Sequence, residues 1–360
     1  MDDQIGIARQ LADSVERLIE DRLDRARLTA AENGEFPEDL WQAFSDLGLS
    51  DALVPADQDG AGLGWRELAP ALARLGAGSV PVPAGENAVA RGLLACTGAA
   101  PPDGLIALPT RPAAPLGRAA DGTVSGILPK VLWAPRAEFV LAECDGPEGP
   151  QLALLPRMGL PHSPSHALSR EPHETLTVTD AKPHLCVGTS RGTLLLAGAL
   201  LRALQIRGAI VAALATTVDY AGVRTQFGRP IGRFQAIQQL LAEMANEAAA
   251  ANAVCEMAVC AADRGEWGLQ IAVAKARCSA AADRGTAIAH EVHAAIGVTE
   301  DLALHYLTRR LWQWRDDFGD ASYWHDALGR KALAAPANGL WSLIKSASGA
   351  AGCDVPAGLA

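Results

Sequence analysis

The sequence has no Cys-x-x-Cys pair and no surplus of positive charge. Its seven cysteines are scattered without a Cys-x-x-Cys pair, which argues against a zinc site or a disulfide framework and predicts reduced thiols in the core. His290 and His293 lie three apart on one predicted helical face, but no third ligand follows at metal spacing, so no metal is predicted. The 31 basic residues against 41 acidic ones give a net charge of −10, which disfavours nucleic acid as a partner.

Targeting and membrane signals are also absent from the sequence. The chain begins Met1-Asp2-Asp3, without the basic region and apolar run of a signal peptide. The longest apolar run, near Leu194–Leu204, is interrupted by Arg202, so no membrane span is predicted. Neither a Gly-x-Ser-x-Gly motif nor a P-loop supports a hydrolase or a kinase. The sequence therefore predicts a soluble, cytoplasmic protein.

Three zones of different periodicity divide the chain. Helical periodicity predicts an N-terminal helical domain over 1–103, with helices at 4–31, 37–47, 65–76 and 85–95. Short apolar runs punctuated by proline and glycine predict a small β-domain over 104–188. Long alanine- and leucine-rich stretches over 189–360 predict an antiparallel helical bundle, with helices at 191–222, 234–264, 268–295, 300–316 and 338–348. The predicted fold is mainly α with a middle β-domain.

The most informative segment runs from Arg224 to Gln238. Gly228 and Pro230 predict a turn between two helices. At such a corner Arg224 and Gln235 can face one ligand, because a guanidinium suits a phosphate oxygen and an amide suits a pyrophosphate or a sugar hydroxyl. The alternative is a plain interhelical corner with Phe227 and Phe234 in the core.

The extended pattern from Arg224 to Met244, Arg-x-Gln-Phe-Gly-x-Pro-Ile-x-x-Phe-Gln-x-Ile-Gln-x-x-Leu-Ala-Glu-Met, resembles the C-terminal domain of the acyl-CoA dehydrogenases. These flavoenzymes desaturate acyl-CoA thioesters. Phe36–Leu49 and the following Pro/Gly turn resemble the family's N-terminal helices, and Gly122–Leu141 resembles its middle β-domain. The resemblance implies an N-terminal helical domain, a β-barrel-like domain and a C-terminal four-helix bundle that mediates oligomerisation.

The same resemblance implies that the cofactor is FAD. In such dimers the Arg-x-x-Phe-Gly corner of one subunit reaches across to the FAD of the next. A Gly-rich turn, normally Gln-x-x-Gly-Gly, also contacts the nucleotide, and here Glu291 replaces the glutamine while Ala294 and Ala295 replace the glycines. The residues that the resemblance assigns to the cofactor are Arg224, Gln226, Phe227, Gln235, Glu291 and Gly297.

The residues that should supply the catalytic base differ from the family's pattern. Family members abstract the α-proton of the thioester with a desolvated carboxylate. Counting without gaps from Gly297 places Phe318 where most members carry a Glu. Counting back from Arg224 places Gly198 where other relatives carry it. The catalytic residues are therefore unknown, although Asp317 and Asp320 lie close to the first position.

The motifs of the flavin ring are also reduced. Leu105–Arg118 replaces the family's Thr-Glu-Pro-Gly-x-Gly-Ser-type loop and is short and rich in proline and alanine. Trp133 is either the tryptophan of a second flavin-ring motif or plain core. The corner that reaches the neighbouring subunit's FAD keeps the family's pattern, whereas the flavin-ring and base positions depart from it. This combination is expected of a degenerate subunit of a heteromeric dehydrogenase.

The leading hypothesis is a subunit of an FAD-dependent acyl-CoA dehydrogenase that acts on an acyl-CoA, with steroid side chains as a substrate class by analogy only. A paralogous partner supplies the base, and an electron-transfer flavoprotein or similar carrier accepts the electrons. One alternative is a self-sufficient homo-oligomer that uses Asp317 or Asp320. Another is a non-enzymatic scaffold that binds acyl-CoA or flavin.

Overall fold

The computed structural model describes residues 2–336 together with residues 339, 341, 342 and 345. The predicted order of helices, sheet and helices is confirmed. The N-terminal helices are α1 (Asp2–Arg22), α2 (Arg25–Glu32), α3 (Glu38–Asp46), α4 (Trp65–Ala77) and α5 (Ala84–Ala95). The prediction of one helix over 4–31 was wrong, because Asp24 begins a new helix by accepting a hydrogen bond from the backbone N–H of Arg27 at 2.8 Å.

The middle of the chain forms one eight-stranded sheet. Its strands are β1 (Ile106–Pro109), β2 (Leu116–Arg118), β3 (Val124–Leu132), β4 (Phe139–Gly146), β5 (Gly149–Pro156), β6 (His162–Ser165), β7 (His173–Ala181) and β8 (Leu185–Gly188). Hydrogen bonding gives the order β6-β7-β3-β1-β4-β5-β8, with β2 paired to β3 and β4. β1 is antiparallel to β3 and parallel to β4.

Both faces of the sheet are buried at the central strands β1, β4 and β5, which explains the continuous apolar runs in these strands. Successive side chains of a strand point to opposite faces. In β1, Ile106 and Leu108 join the core shared with the helices, whereas Ala107 belongs to the core of the opposite face. In β5, Leu154 joins the core shared with the helices and Leu155 belongs to the core of the opposite face.

The C-terminal part is again helical. It comprises α6 (Thr193–Val223), a hairpin of β9 (Thr225–Gln226) and β10 (Arg229–Pro230), then α7 (Gln235–Asp263), α8 (Leu269–His293), α9 (Leu304–Asp316) and α10 (Ala321–Leu333). The predicted helix over 300–316 starts later, at Leu304, and α10 was not predicted. The helix predicted over 338–348 lies mainly outside the described residues.

Helix α4 of the N-terminal part packs onto α6 with backbones in contact. A Cβ atom on Gly208 would overlap the carbonyl of Ala73, and one on Gly76 would overlap the carbonyl of Gln205. Only glycine permits this approach at both positions. The two glycines therefore fix the N-terminal helices against the bundle.

Helix α6 is the one described helix that is long and apolar enough to cross a membrane, judged by length and composition alone. Within its apolar window 78% of the residues are buried inside the protein, so it serves as the central core helix. The cysteine prediction holds only in part. Cys144, Cys255, Cys260 and Cys278 are buried, but Cys96 is exposed, and Cys353 lies outside the described residues.

Candidate functional site

The Arg-x-x-Phe-Gly corner between α6 and α7 is a tight β-hairpin. Gln226 pairs with Arg229, and the two residues between them have positive φ angles, 50° at Phe227 and 77° at Gly228. These are the angles of a two-residue type I′ turn. Glycine adopts them readily, but a phenylalanine at positive φ is strained. Phe227 is also 91% exposed at the tip, so the alternative in which it lies in the core is wrong.

A cavity of about 600 Å³ lies between this hairpin and the end of α8. Aromatic rings, one guanidinium and one amide share its wall with apolar side chains. The lining residues are Tyr220, Arg224, Gln226, Phe227, Ile231, Phe234, Ile237, Val292, His293, Ala294, Ala295 and Ile296. The cavity is large enough for part of a nucleotide, and it brings together the two segments that the sequence motifs single out.

Three arginines give the corner a positive charge. Arg224, Arg229 and Arg233 form no ion pair with a carboxylate in the described part of the chain, although the chain as a whole carries a net charge of −10. The guanidinium of Arg229 lies 4.2 Å from the centre of the Phe234 ring. Unpaired guanidinium groups beside a cavity suit a phosphate-bearing ligand.

The structure places the predicted cofactor residues in three different settings. Arg224, Gln226 and Phe227 line the cavity. Gln235 and Glu291 are exposed and are not among its lining residues. Gly297 is buried beneath the end of α8, where an added Cβ atom would lie 2.7 Å from Cβ of His293, so tight packing explains this glycine.

Besides Ala294 and Ala295, seven lining residues were not assigned to the cofactor from the sequence: Tyr220, Ile231, Phe234, Ile237, Val292, His293 and Ile296. The signal for Tyr220 was its position one helical turn before Arg224, which places both side chains on the same face of α6. His293 precedes the segment that replaces the glycines. Its ring stacks on Tyr220 with 4.3 Å between ring centres.

The segment that replaces the Gly-rich turn keeps a backbone suited to glycine. Ala294 has φ 55° and ψ −143°, a conformation that residues with a side chain rarely adopt. Such strain costs about 1–3 kcal/mol. The methyl groups of Ala294 and Ala295 line the cavity, so a ligand there meets side chains where glycines would leave the backbone open.

The two positions that could carry a base lie next to each other. Phe318 is fully buried, and its ring lies so close to Gly198 that a Cβ atom there would overlap it. The backbone N–H of Phe318 donates to the carbonyl of Thr110 in the shortened middle-domain loop. Packed hydrocarbon thus occupies both base positions.

Asp317, the nearest carboxylate, belongs to a buried ion-pair network. It accepts hydrogen bonds from Nε of Arg202 at 3.0 Å and from Nε2 of Gln313 at 2.8 Å. Arg202 is fully buried and also donates to Glu86 at 2.6 Å. Burial raises the pKa of Glu86, and the charge of Arg202 opposes the rise. Asp317 is therefore held as a structural partner of Arg202.

Asp320 has a capping role. Its carboxylate accepts a hydrogen bond from the backbone N–H of Tyr323 at 2.8 Å and so caps the N-terminus of α10. Trp133 is buried in the sheet core and meets the ring of Phe36 edge-on at 5.5 Å between centres. Its burial in this core agrees with the plain-core interpretation.

The shortened loop over Leu105–Arg118 lies beside a second cavity, of about 220 Å³. Prolines at positions 109, 112, 115 and 129 line it together with Phe318. Its carboxylate, Glu143, accepts hydrogen bonds from the backbone N–H groups of Gly192 at 3.2 Å and Leu194 at 3.0 Å. The carboxylate thus binds backbone N–H groups at the start of α6 that have no partner within the helix.

Comparison with known proteins agrees with this geometry. The N-terminal domain of acyl-CoA dehydrogenases matches residues 7–98 and the C-terminal domain matches residues 191–313, together more than half of the chain. The acyl-CoA dehydrogenase IpdE2 of Mycobacterium tuberculosis is 29% identical over 289 residues, which cover 79% of this chain and 83% of that protein.

Two solved structures share the fold. The ChsE4-ChsE5 complex from Mycobacterium tuberculosis gives a TM-score of 0.83 at 22% identity, covering 92% of this chain and 98% of that chain. A variant of the Tcur3481-Tcur3483 steroid ACAD gives 0.81 at 26% identity, covering 96% and 99%. The chain belongs to the acyl-CoA dehydrogenase family, whose cofactor is FAD.

Proposed function

We propose that this chain is the non-catalytic subunit of a heteromeric FAD-dependent acyl-CoA dehydrogenase. It completes the FAD site of a paralogous partner with its Arg224 corner, and the partner supplies the catalytic base. The observation that carries the proposal is the contact between Phe318 and Gly198, which fills both base positions with hydrocarbon while the corner keeps an open cavity.

The chemistry of desaturation makes the missing base decisive. The α-proton of the thioester must pass to a carboxylate held against the α-carbon, and FAD, when bound, would supply the acceptor for the β-hydride. Phe318 has no atom that can accept a proton. Asp317 is 1% exposed and its carboxylate is hydrogen bonded to Arg202 and Gln313, so it is already engaged within the fold, although it borders a cavity of about 500 Å³ together with Asp320. The base of the proposed enzyme would therefore come from the partner subunit.

The corner residues fit the nucleotide half of FAD. Arg224 offers an unpaired guanidinium to phosphate oxygens, and Gln226 offers an amide to a hydroxyl or a phosphate. The exposed ring of Phe227 would be buried when a partner covers the hairpin. The alanines at 294 and 295 leave little backbone for close approach, so we assign the affinity to the side chains.

The relatives' names guide the choice of substrate and partner. One solved neighbour is named as a steroid ACAD and another as a complex of two proteins. We propose a bulky acyl-CoA, such as a steroid side-chain thioester, as the substrate of the assembled enzyme. An electron-transfer flavoprotein or similar carrier is the proposed electron acceptor, and the cytoplasm is the proposed location.

The flavin spectrum of the purified chain tests this proposal. We expect a colourless preparation that gains the oxidised-flavin absorbance near about 450 nm, together with activity, when a genomic-neighbour paralogue is added. A chain that purifies yellow and turns over acyl-CoA alone would instead establish a self-sufficient homo-oligomer. A chain that binds flavin or acyl-CoA but never yields activity with any paralogue would establish a scaffold.

A further inference from the structure

A small cavity lies where the N-terminal helices, the sheet and the C-terminal helices meet. Its wall includes Glu32 of α2, Trp133 and Glu171 beside the ends of β3 and β7, and Arg310 of α9. Arg310 is 2% exposed, Trp133 5% and Glu171 7%, and the side chain of Glu32 is 4% exposed. The cavity volume of about 10 Å³ is close to the roughly 10–15 Å³ that one water molecule needs.

Two residues of this wall, Arg310 and Glu171, carry buried charges without a direct partner. In the described part of the chain, neither side chain forms a hydrogen bond or an ion pair within 4.0 Å. The neighbouring Arg309 differs, since its Nη1 lies 2.7 Å from Oε2 of Glu32. A charge that leaves water without gaining a partner is strongly destabilising. The guanidinium and the carboxylate therefore need a polar partner, and both side chains line the cavity where one can lie.

The other polar atoms of the wall indicate what that partner is. Nε and Nη1 of Arg310 and Nε1 of Trp133 are buried donors without an acceptor, and Oε2 of Glu171 and Oε1 of Glu32 are buried acceptors without a donor. Such atoms are uncommon in folded proteins. A metal cation would be repelled by the guanidinium, and a chloride would be repelled by the two carboxylates. Water suits both kinds of atom, because it donates two hydrogen bonds and accepts two.

We propose that one ordered water molecule occupies this cavity and bridges the guanidinium of Arg310 to the carboxylate of Glu171, with Glu32 and Trp133 as its remaining partners. A water hydrogen bonded at about 2.9 Å lies closer to its partners than van der Waals contact, so the atoms that bind it are sealed from further solvent. The water joins α2, the sheet and α9, and so ties the three parts of the chain together. This inference goes beyond the proposed function and does not depend on it.

A crystal structure of the full chain or of its complex with the paralogue tests the water directly. We expect a density peak within about 2.7–3.2 Å of side-chain atoms of both Arg310 and Glu171, without anomalous scattering. A direct contact between the two side chains with no peak between them would overturn the bridge. An anomalous peak at this position would identify chloride and would also overturn it.

Thermal melting of a double-mutant cycle tests whether the two charges are coupled. Arg310→Met and Glu171→Met should each lower the melting temperature by roughly 4–7 °C, because each leaves the other charge buried without its bridged partner. The double variant should melt no lower than either single variant, since it removes both charges. Melting shifts that simply add would show that the two side chains do not share a water.

Arg284→Met is the matched control for the cycle. Arg284 is paired with Glu243 on the surface of the bundle, and its side chain is 45% exposed. Its melting shift should add to that of Glu171→Met, because the two residues share no partner. If either methionine variant does not fold, the crystal structure of the wild-type chain decides the proposal. Glu171→Gln provides a further check, because its amide can still bind the water and should melt closer to wild type than Glu171→Met.

Discussion

The ring of Phe318 packs onto the backbone of Gly198, although 120 residues of sequence separate them. Counting along the sequence assigned Phe318 to the position where most family members carry the base, and Gly198 to the position where some relatives carry it. Their contact means that each residue depends on the other, since any side chain at 198 would need the space that the ring fills. The pair forms a piece of buried core.

Gly198→Ala tests how tightly this contact is packed. The added methyl group would overlap the Phe318 ring, which is fully buried, and overpacking of this kind costs about 1–3 kcal/mol of unfolding free energy. Gly222→Ala is the control on the same helix, because nothing lies within 4 Å of its Cβ position. That substitution should stabilise the chain by about 0.5–1 kcal/mol. Equal responses in urea unfolding would show that the contact is loose.

Phe227→Asn separates the stability of the chain from its assembly. Asparagine accepts positive φ more readily than phenylalanine, so the variant should stabilise the isolated chain by about 1 kcal/mol. Loss of the exposed ring should weaken association with the partner, measured by analytical ultracentrifugation. Met158→Asn is the control, since Met158 is 92% exposed and lies on a loop of the middle domain. If the Phe227→Asn variant assembles as well as wild type, Phe227 does not contribute to the interface.

Lys275 should make stability depend on pH above neutrality. Burial lowers its pKa to about 7 from 10.5, with the charge of Asp317 opposing. Between these two values the unfolded chain binds the proton more tightly, so the free energy of unfolding should rise with pH, by up to about 1.4 kcal/mol per pH unit. Below about pH 7 the folded and unfolded chains both bind this proton, so the rise begins there. Lys275→Met should flatten the rise, and parallel curves for both proteins would contradict the expectation.

Arg224→Ala should lower the flavin content of the assembled complex. The guanidinium would make charge-assisted bonds to phosphate worth roughly 1.5–3 kcal/mol, which is about tenfold or more in affinity. Arg233→Ala is the control, because it removes an equal charge from the same corner at a residue that does not line the cavity. Absorbance of dialysed complexes measures the bound flavin, and equal losses from both variants would point to general electrostatics.

The sequence predicted those features that short segments determine. The Arg-x-x-Phe-Gly motif and the order of helices and sheet both follow from local spacing. The Arg202 network does not, because it joins Glu86, Gln205 and Asp317 from three segments of the chain. The stack of His293 on Tyr220 is likewise a tertiary contact, since its residues lie at the far ends of two helices.

Turnover of the complex decides whether this chain supplies the base. Asp320→Asn keeps a good helix cap, so the fold should survive, and turnover should stay within about threefold of wild type because we assign the carboxylate a capping role. Removal of the partner's base should instead lower the rate roughly 10²–10⁴-fold, which is the usual contribution of general-base catalysis. Asp317→Asn needs a folding check, since its carboxylate pairs with the buried Arg202. If either substitution slows a folded, flavin-loaded complex by about a hundredfold, this chain supplies the base.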